Sequence, residues 1–166
     1  MRTVTVRHAS PADIDRIRDI YTHYVLNSTT TFEISMPDTQ EMLSRLLKIQ
    51  NASCPYLVCE VDNEIAGYAY ASPYRPREAY RFTVEASIYL STEFQGMGLG
   101  TALLNALSQH CVEQGFRHMV SVVTGDAGGP SYKFHLRNGF AYCGTLKNIG
   151  YKFERAIDTH FFQKAI

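Results

Sequence analysis

The segment Gln95-Gly96-Met97-Gly98-Leu99-Gly100-Thr101 limits the folds open to this chain more than any other. It follows Arg81–Leu90 (RFTVEASIYL), whose β-branched and aromatic residues predict a long strand. It precedes Leu103, Leu104, Leu107 and Cys111, which recur at helical spacing. Alternating glycines let the backbone turn sharply and let a ligand come close. A helix that starts there offers free amides and the positive end of its dipole, a site for a phosphate or pyrophosphate. A tight turn that binds nothing and a dinucleotide fold compete with that reading. The dinucleotide motif normally opens the first βαβ unit and has an acidic residue about 20 positions later. Here the turn follows the fourth predicted strand, with a hairpin ahead of it. A P-loop is excluded, because no Gly-Lys-Ser/Thr is present.

The rest of the chain supplies the context. Thr3–Arg7 alternates as a strand. Ser10 and Pro11 suit the N-cap and first turn of a helix, and Asp13 meets the positive dipole end. Ile14, Ile17, Ile20, Tyr21 and Tyr24 follow, and Ser28–Thr31 ends that helix. Asp38 caps a second helix with apolar Met42, Leu43, Leu46, Leu47 and Ile49. Tyr56–Val61 and Ile65–Ser72 read as a hairpin about Asp62-Asn63-Glu64. Tyr74–Glu78 is expected to be loop, His118–Val123 a buried strand, and Pro130–His135 a short helix. Phe140–Leu146 and Tyr151–Phe161 are expected to be the closing strands. The order β-α-α-β-β-β-α-β-α-β-β predicts a mixed α/β (α+β) sheet in a single domain spanning 1–166.

A chain of 166 residues folds without disulfide or metal support. Sixteen basic residues balance sixteen acidic ones, which argues against a nucleic-acid or anionic-membrane partner. The cysteines at 54, 59, 111 and 143 form no CxxC pair, and no two histidines have metal-ligand spacing, so no metal is expected. Cys111 and Cys143 read as small core residues. No apolar run approaches the ~20 residues of a membrane span. With no apolar signal core at its start, the chain reads as cytoplasmic with reduced thiols.

Gln95-x-x-Gly98-x-Gly100 at a strand–helix junction resembles the [RQ]xxGx[GA] signature of the GNAT N-acetyltransferases. Tyr70–Arg77, Ala79–Glu85, Pro130-Ser131-x-x-x-His135-x-x-x-Gly139-Phe140 and Gly150-x-Lys152-Phe153 with Asp158 extend the resemblance over most of the chain. They resemble the branch acting on phosphinothricin and methionine sulfone. The chain departs from that branch at Asp126–Gly129, where many relatives carry an Asn, and at Glu154-Arg155-Ala156, where they often have Gly-Arg-Trp.

The resemblance implies a twisted, mostly antiparallel sheet flanked by helices and splayed between its fourth and fifth strands. Acetyl-CoA would lie in the splay as co-substrate. Its pyrophosphate would sit on Gln95, Gly96, Met97, Gly98, Leu99, Gly100 and Thr101, with amides of Met97, Leu99 and Thr101 as donors. Its arm would run along Ile88, Tyr89 and Leu90, with Ser131 on the far side. Phe32, Arg75, Arg77, Tyr80 and Glu85 match positions that line an amino-acid site, and a homodimer is expected. Lys152 and Asp158 read as surface or interface groups.

Acetylating an amine requires a base to take the ammonium proton. Glu85 interrupts an apolar strand and matches the family's base, so it is the candidate. A backbone amide near Leu90 is expected to stabilise the oxyanion. His135 is a candidate acid for the departing thiolate, with a packed structural role as the alternative, and Tyr132 is a second candidate. Arg75 and Arg77 offer planar forks suited to carboxylate or phosphinate oxygens. That predicts a small α-amino acid with an oxidised tetrahedral head. Another amine acceptor, or a non-catalytic acyl-CoA sensor, is the alternative. A polyamine or aminoglycoside site would be acidic, which the arginine pair disfavours.

Overall fold

The computed structural model of the chain describes residues 2–166. Its elements are β1 (Val4–His8), α1 (Ile14–Asn27), α2 (Thr39–Asn51), β2 (Tyr56–Val61), β3 (Glu64–Pro73), β4 (Thr83–Leu90), α3 (Leu99–Glu113), β5 (His118–Thr124), α4 (Pro130–Arg137), β6 (Ala141–Lys152) and β7 (Arg155–Ala165). The order of strands and helices is the expected one. The seven strands form one sheet in the order β1-β2-β3-β4-β5-β7-β6. Every pair is antiparallel except β4–β5, which is parallel and joins only Thr83–Glu85 to His118–Val120. Beyond Glu85 the two strands part, which opens the splay.

The two faces of the central strands differ in side-chain size. Tyr56, Tyr68, Tyr70, Ser72, Glu85, Ser87 and Tyr89 alternate onto one face, on which α1 and α2 pack. Ala69, Ala71, Ala86 and Gly67 share the other face, where their small side chains let α3 lie close to β3.

Local chemistry explains most element ends. The Asp13 carboxylate accepts from the Ser10 amide at 2.7 Å and from both Arg7 terminal nitrogens at 2.9 Å, so it ties the start of the first helix to β1. The first turn, Pro11–Asp13, is 3-10 rather than α. Asp38 caps α2 by accepting from the Glu41 amide at 2.8 Å. The β2–β3 turn places Asp62 and Asn63 in the left-handed region at φ 52° and 69°, residues that tolerate it in a two-residue hairpin.

Five local expectations are corrected. Arg81 and Phe82 precede β4, because Glu78–Tyr80 forms a 3-10 turn that delays the strand. Leu99 and Gly100 lie inside α3 rather than in the turn. The last hairpin turns at Phe153-Glu154, both left-handed, so Tyr151 and Lys152 belong to β6 and not to the final strand. Leu47 is exposed on α2, since the helix buries only its Met42, Leu46 and Ile49 side. Cys143 is exposed on the edge strand, unlike the buried Cys111. No helix among the described residues is long and apolar enough to cross a membrane.

Candidate active site

The splay holds a cleft of about 790 Å³, walled by β4 on one side and by the β5–α4 connection and α4 on the other. The backbone direction of β4 makes it a binding edge. Ser91 donates its amide to Ala66, so odd-numbered residues of β4 bond to β3 and even-numbered ones face away. The amides of Ile88 and Leu90 therefore point into the cleft, where β5 has left. Of the two, Leu90 is already engaged: Tyr24 of α1 donates its hydroxyl to Leu90 O at 2.5 Å and accepts from Leu90 N at 3.3 Å. Leu90 also lies about 17 Å along the strand from Glu85, against about 10 Å for Ile88. Of the two cleft-facing amides, that of Ile88 is therefore the one nearer Glu85 and not bonded to Tyr24.

At the mouth of the cleft, Gly96 and Gly98 adopt φ 78° and 79°, which a side chain would strain. Gly98 is the N-cap of α3 and has no side chain to satisfy the helix amides. The first amide to find an acceptor is that of Ala102, which donates to Gly98 O at 3.2 Å. Those of Leu99, Gly100 and Thr101 remain for an anion. Gly100 has a different reason to be glycine, since a Cβ there would stand 3.1 Å from the Phe134 ring of α4. Gln95 reaches Tyr24 Oη at 3.4 Å, and Met97 is exposed beside it. Free amides at a helix start, an open strand edge and a cleft of this volume fit a pyrophosphate-bearing thioester. Among the described residues no cluster of His, Cys, Asp and Glu could hold a metal ion.

Glu85 is the last residue of β4 to pair with β5, so it sits where the strands divide. Burial pushes its carboxyl above the ordinary carboxylate value, and Arg75 pulls it partly back. Arg75 is exposed on the loop after β3, its guanidinium 5.2 Å from the Tyr74 ring centre. Tyr80 packs edge-on to Tyr74 at 5.5 Å, so Arg75, Tyr74 and Tyr80 form one aromatic–cationic patch near Glu85. Arg77 is exposed at the start of the 3-10 turn, where its carbonyl accepts from the Tyr80 amide at 3.0 Å, and its guanidinium makes no hydrogen bond or ion pair among the described residues. Phe32 packs its ring against Gly150 of β6; a Cβ on Gly150 would come within 2.3 Å of it.

Ser131 lines the cleft from α4. His135 is buried, and its Nδ1 lies 2.7 Å from Ser131 O. A carbonyl only accepts, so Nδ1 carries the proton and Nε2 a lone pair. Burial lowers the imidazole pKa, with Ser131 opposing. The ring stacks on Phe162 at 5.5 Å. A neutral ring whose proton is bonded to a carbonyl is poorly set to act as an acid. Tyr132 also lines the cleft, edge-on to Phe162 at 4.9 Å.

Sequence reading missed the residues that hold the α1–α2 connection over the site. Lys152 is 4% exposed, and its ammonium donates to Ser28 O at 2.7 Å, Thr31 O at 2.9 Å and Tyr24 O at 3.3 Å. It is a buried clamp on the end of α1 and on the loop bearing Phe32, which corrects the surface reading. Glu33 accepts from Arg45 through two bonds of 2.7 and 2.8 Å and also from Tyr21 Oη. Asp158 is half-buried and pairs with Lys147 at 2.7 Å. Lysines are rarely buried, so pattern alone did not signal Lys152; its place in the Gly150-x-Lys152-Phe153 motif was the available sign.

The acetyltransferase (GNAT) family model matches residues 17–140. The chain is 42% identical to a phosphinothricin N-acetyltransferase of Alcaligenes faecalis, over 98% of this chain and 82% of that protein. It is 32% identical to an L-methionine sulfoximine/L-methionine sulfone acetyltransferase of Salmonella typhimurium, over 96% of this chain and 93% of that one. A crystal structure of a GNAT superfamily phosphinothricin acetyltransferase from Sinorhizobium meliloti, in complex with AcCoA, superposes with a TM-score of 0.93. That protein is 42% identical, and the match covers 99% of this chain and 89% of the other. With the family model spanning most of the sheet and the splay in its expected place, the chain belongs to the GNAT family and is an N-acetyltransferase.

Proposed function

We propose that the chain is a cytoplasmic, acetyl-CoA-dependent enzyme that acetylates the α-amine of a small amino acid with an oxidised tetrahedral side-chain head. The carrying observation is the placement of a half-buried carboxylate, Glu85, at the point where β4 and β5 divide, within the electrostatic reach of Arg75. Kinship with enzymes named for phosphinothricin and for methionine sulfoximine and sulfone supports the acceptor class. The reading needs no metal, nucleic acid or membrane.

In this reading the bound thioester supplies the acetyl group. Leu99, Gly100 and Thr101 hold the pyrophosphate through their amides, and the Ile88–Leu90 edge aligns the arm. Arg75, with Arg77, holds the acceptor's carboxylate. Glu85 takes the ammonium proton, and its raised pKa makes it a stronger base once ionised. The reach from Glu85 to the Ile88 amide leaves room for a water between base and amine. The Ile88 amide donates to the carbonyl oxygen as that atom gains charge, a contact of the type worth ~3 kcal/mol. The carbon–sulfur bond then breaks, and CoA leaves as a thiolate that takes up the proton the new amide nitrogen loses. His135 then serves as packing support for α4, and Tyr132 is the nearer hydroxyl.

Release of CoA should be seen with methionine sulfone, methionine sulfoximine or phosphinothricin and not with spermidine, an aminoglycoside or a lysine peptide. Arg75→Ala should raise the acceptor KM by about ten-fold or more, as for loss of a charged hydrogen bond. An unchanged acceptor KM in both Arg75→Ala and Arg77→Ala would remove the arginine site. Turnover of a cationic amine alone would overturn the acceptor class. Binding of acetyl-CoA with no turnover of any amine would favour the sensor.

The proposed homodimer draws support from β6. It is the sheet's last strand, 12 residues long, and it exposes Leu146, Ile149 and Tyr151, with Phe153 of the following turn and Ile34 also exposed. A long apolar edge left bare invites pairing. Light scattering should give twice the chain mass, and Ile149→Glu with Tyr151→Glu should halve it; a wild-type monomer at assay concentration would end the dimer reading.

A further inference from the structure

The cleft's second wall, the connection from β5 to α4, carries no side-chain donor between Asp126 and Gly129. Its backbone is held from behind by a histidine of β7. His160 is 1% exposed, and its Nε2 donates to Gly125 O at 2.8 Å. A carbonyl only accepts, so Nε2 carries the proton and, in the neutral ring, Nδ1 accepts from the Thr145 hydroxyl at 2.6 Å. Thr145 stands directly across from His160 on β6, and its oxygen accepts in turn from Tyr142 Oη at 2.7 Å. Tyr142 and Thr145 share a face because the β6–β7 register shifts between Tyr142 and Gly144. Tyr132 closes the group, edge-on to the imidazole at 5.3 Å.

This series of bonds ends on a peptide whose direction matters. Gly125 follows β5, with β7 on one side and the cleft on the other. Both of its polar groups turn to β7: the amide donates to Asp158 O at 3.1 Å, and the carbonyl accepts from His160. In a trans peptide a carbonyl and the N–H that follows it point opposite ways. The Asp126 N–H is therefore directed from β7 toward the cleft, and it has no hydrogen-bond partner among the described residues. Gly125 adopts φ 107°, and a glycine backbone turns freely, so bonded partners rather than sterics hold this peptide. The arm of a CoA thioester carries amide carbonyls, the acceptors such an N–H needs.

We propose that His160 is a positioning residue for the cofactor arm: it holds the Gly125–Asp126 peptide so that the Asp126 amide donates to an amide carbonyl of the arm. The inference rests on the acetyl-CoA reading of the cleft given above. The arm is then gripped from both walls, by the Ile88–Leu90 edge of β4 and by Asp126 opposite it.

Calorimetry on wild type, His160→Asn and His160→Gln tests it with acetyl-CoA and with the nucleotide half of CoA, which keeps the pyrophosphate and lacks the arm. Glutamine carries its amide nitrogen out to the place of Nε2. Asparagine ends near Nδ1, too short to reach Gly125 O. His160→Asn should weaken acetyl-CoA binding about three- to ten-fold, the size of one neutral hydrogen bond. His160→Gln should stay near wild type, and the nucleotide half should bind all three proteins alike. In the wild type, the amide proton resonance of Asp126 should move downfield with acetyl-CoA and hold its place with the nucleotide half, a readout that needs no variant to fold. Equal weakening in both variants, matching losses for the nucleotide half, or an Asp126 resonance unmoved at saturating acetyl-CoA would overturn the proposal. A wild type that binds neither ligand would overturn the acetyl-CoA reading itself, a result distinct from those three.

Discussion

Glu85→Gln is expected to lower kcat/KM by about 10²- to 10⁴-fold, the range for removing a general base. The acetyl-CoA KM should stay near the wild-type value, because Glu85 is not among the β4 residues that line the cleft, Ala86 to Leu90. In the wild type the acid limb of the kcat/KM profile should lie above the ordinary carboxylate range, since burial raises the Glu85 pKa more than Arg75 lowers it. The Gln variant should lack that limb.

The same shift has a consequence for stability. With the folded pKa above the unfolded one, the native state binds more protons than the unfolded chain in the window between them. Stability then falls as pH rises through that window, and the cost of the buried charge is fully present above it. Glu85→Gln should therefore unfold later than wild type near neutral pH and match it below the ordinary carboxylate value. A variant more stable and much less active would mark Glu85 as a site placed for chemistry. A Glu85→Gln protein with wild-type kcat/KM, measured by CoA release, would remove it from the mechanism.

Lys152→Met should be the most damaging single change to stability, about 3 kcal/mol or more. Methionine matches the aliphatic stem but leaves the carbonyls of Tyr24, Ser28 and Thr31 without their buried donor. Urea unfolding should show a lower midpoint at unchanged slope. Hydrogen exchange should quicken across residues 28–34, the stretch that the ammonium clamps. Phe32 rides on that stretch, so the acceptor KM should rise while the acetyl-CoA KM holds. A midpoint within error of wild type would mean that Lys152 bears little of the connection's order.

The last hairpin shows how local signals and tertiary structure divide. Asp62-Asn63 announced its turn because both residues accept left-handed φ. Phe153-Glu154 makes a similar turn without such residues, held by the pairing of Lys152 with Arg155 and by the longer ladder between β6 and β7. Nothing local distinguished it from continuing strand, so the predicted boundary slipped.

What the sequence determined by itself were properties set by short-range patterns. Alternation and helical spacing gave the element order, and the glycine turn after Glu85's strand pointed to an anion site and, through motif resemblance, gave the family. Tertiary structure decided what depends on residues far apart in the chain. Lys152 reaches acceptors more than 120 positions away. The hydroxyl of Tyr24 occupies the Leu90 amide, which leaves that of Ile88 as the proposed oxyanion donor. Tyr56 and Tyr68 become walls of one cavity only when β2 and β3 pair beneath α2. Hydrophobic patterning fixes which face a residue takes. Whether a polar group on that face meets a partner, a cavity or solvent is decided by the packing of distant elements, where an unpaired buried group is too costly to be left to chance.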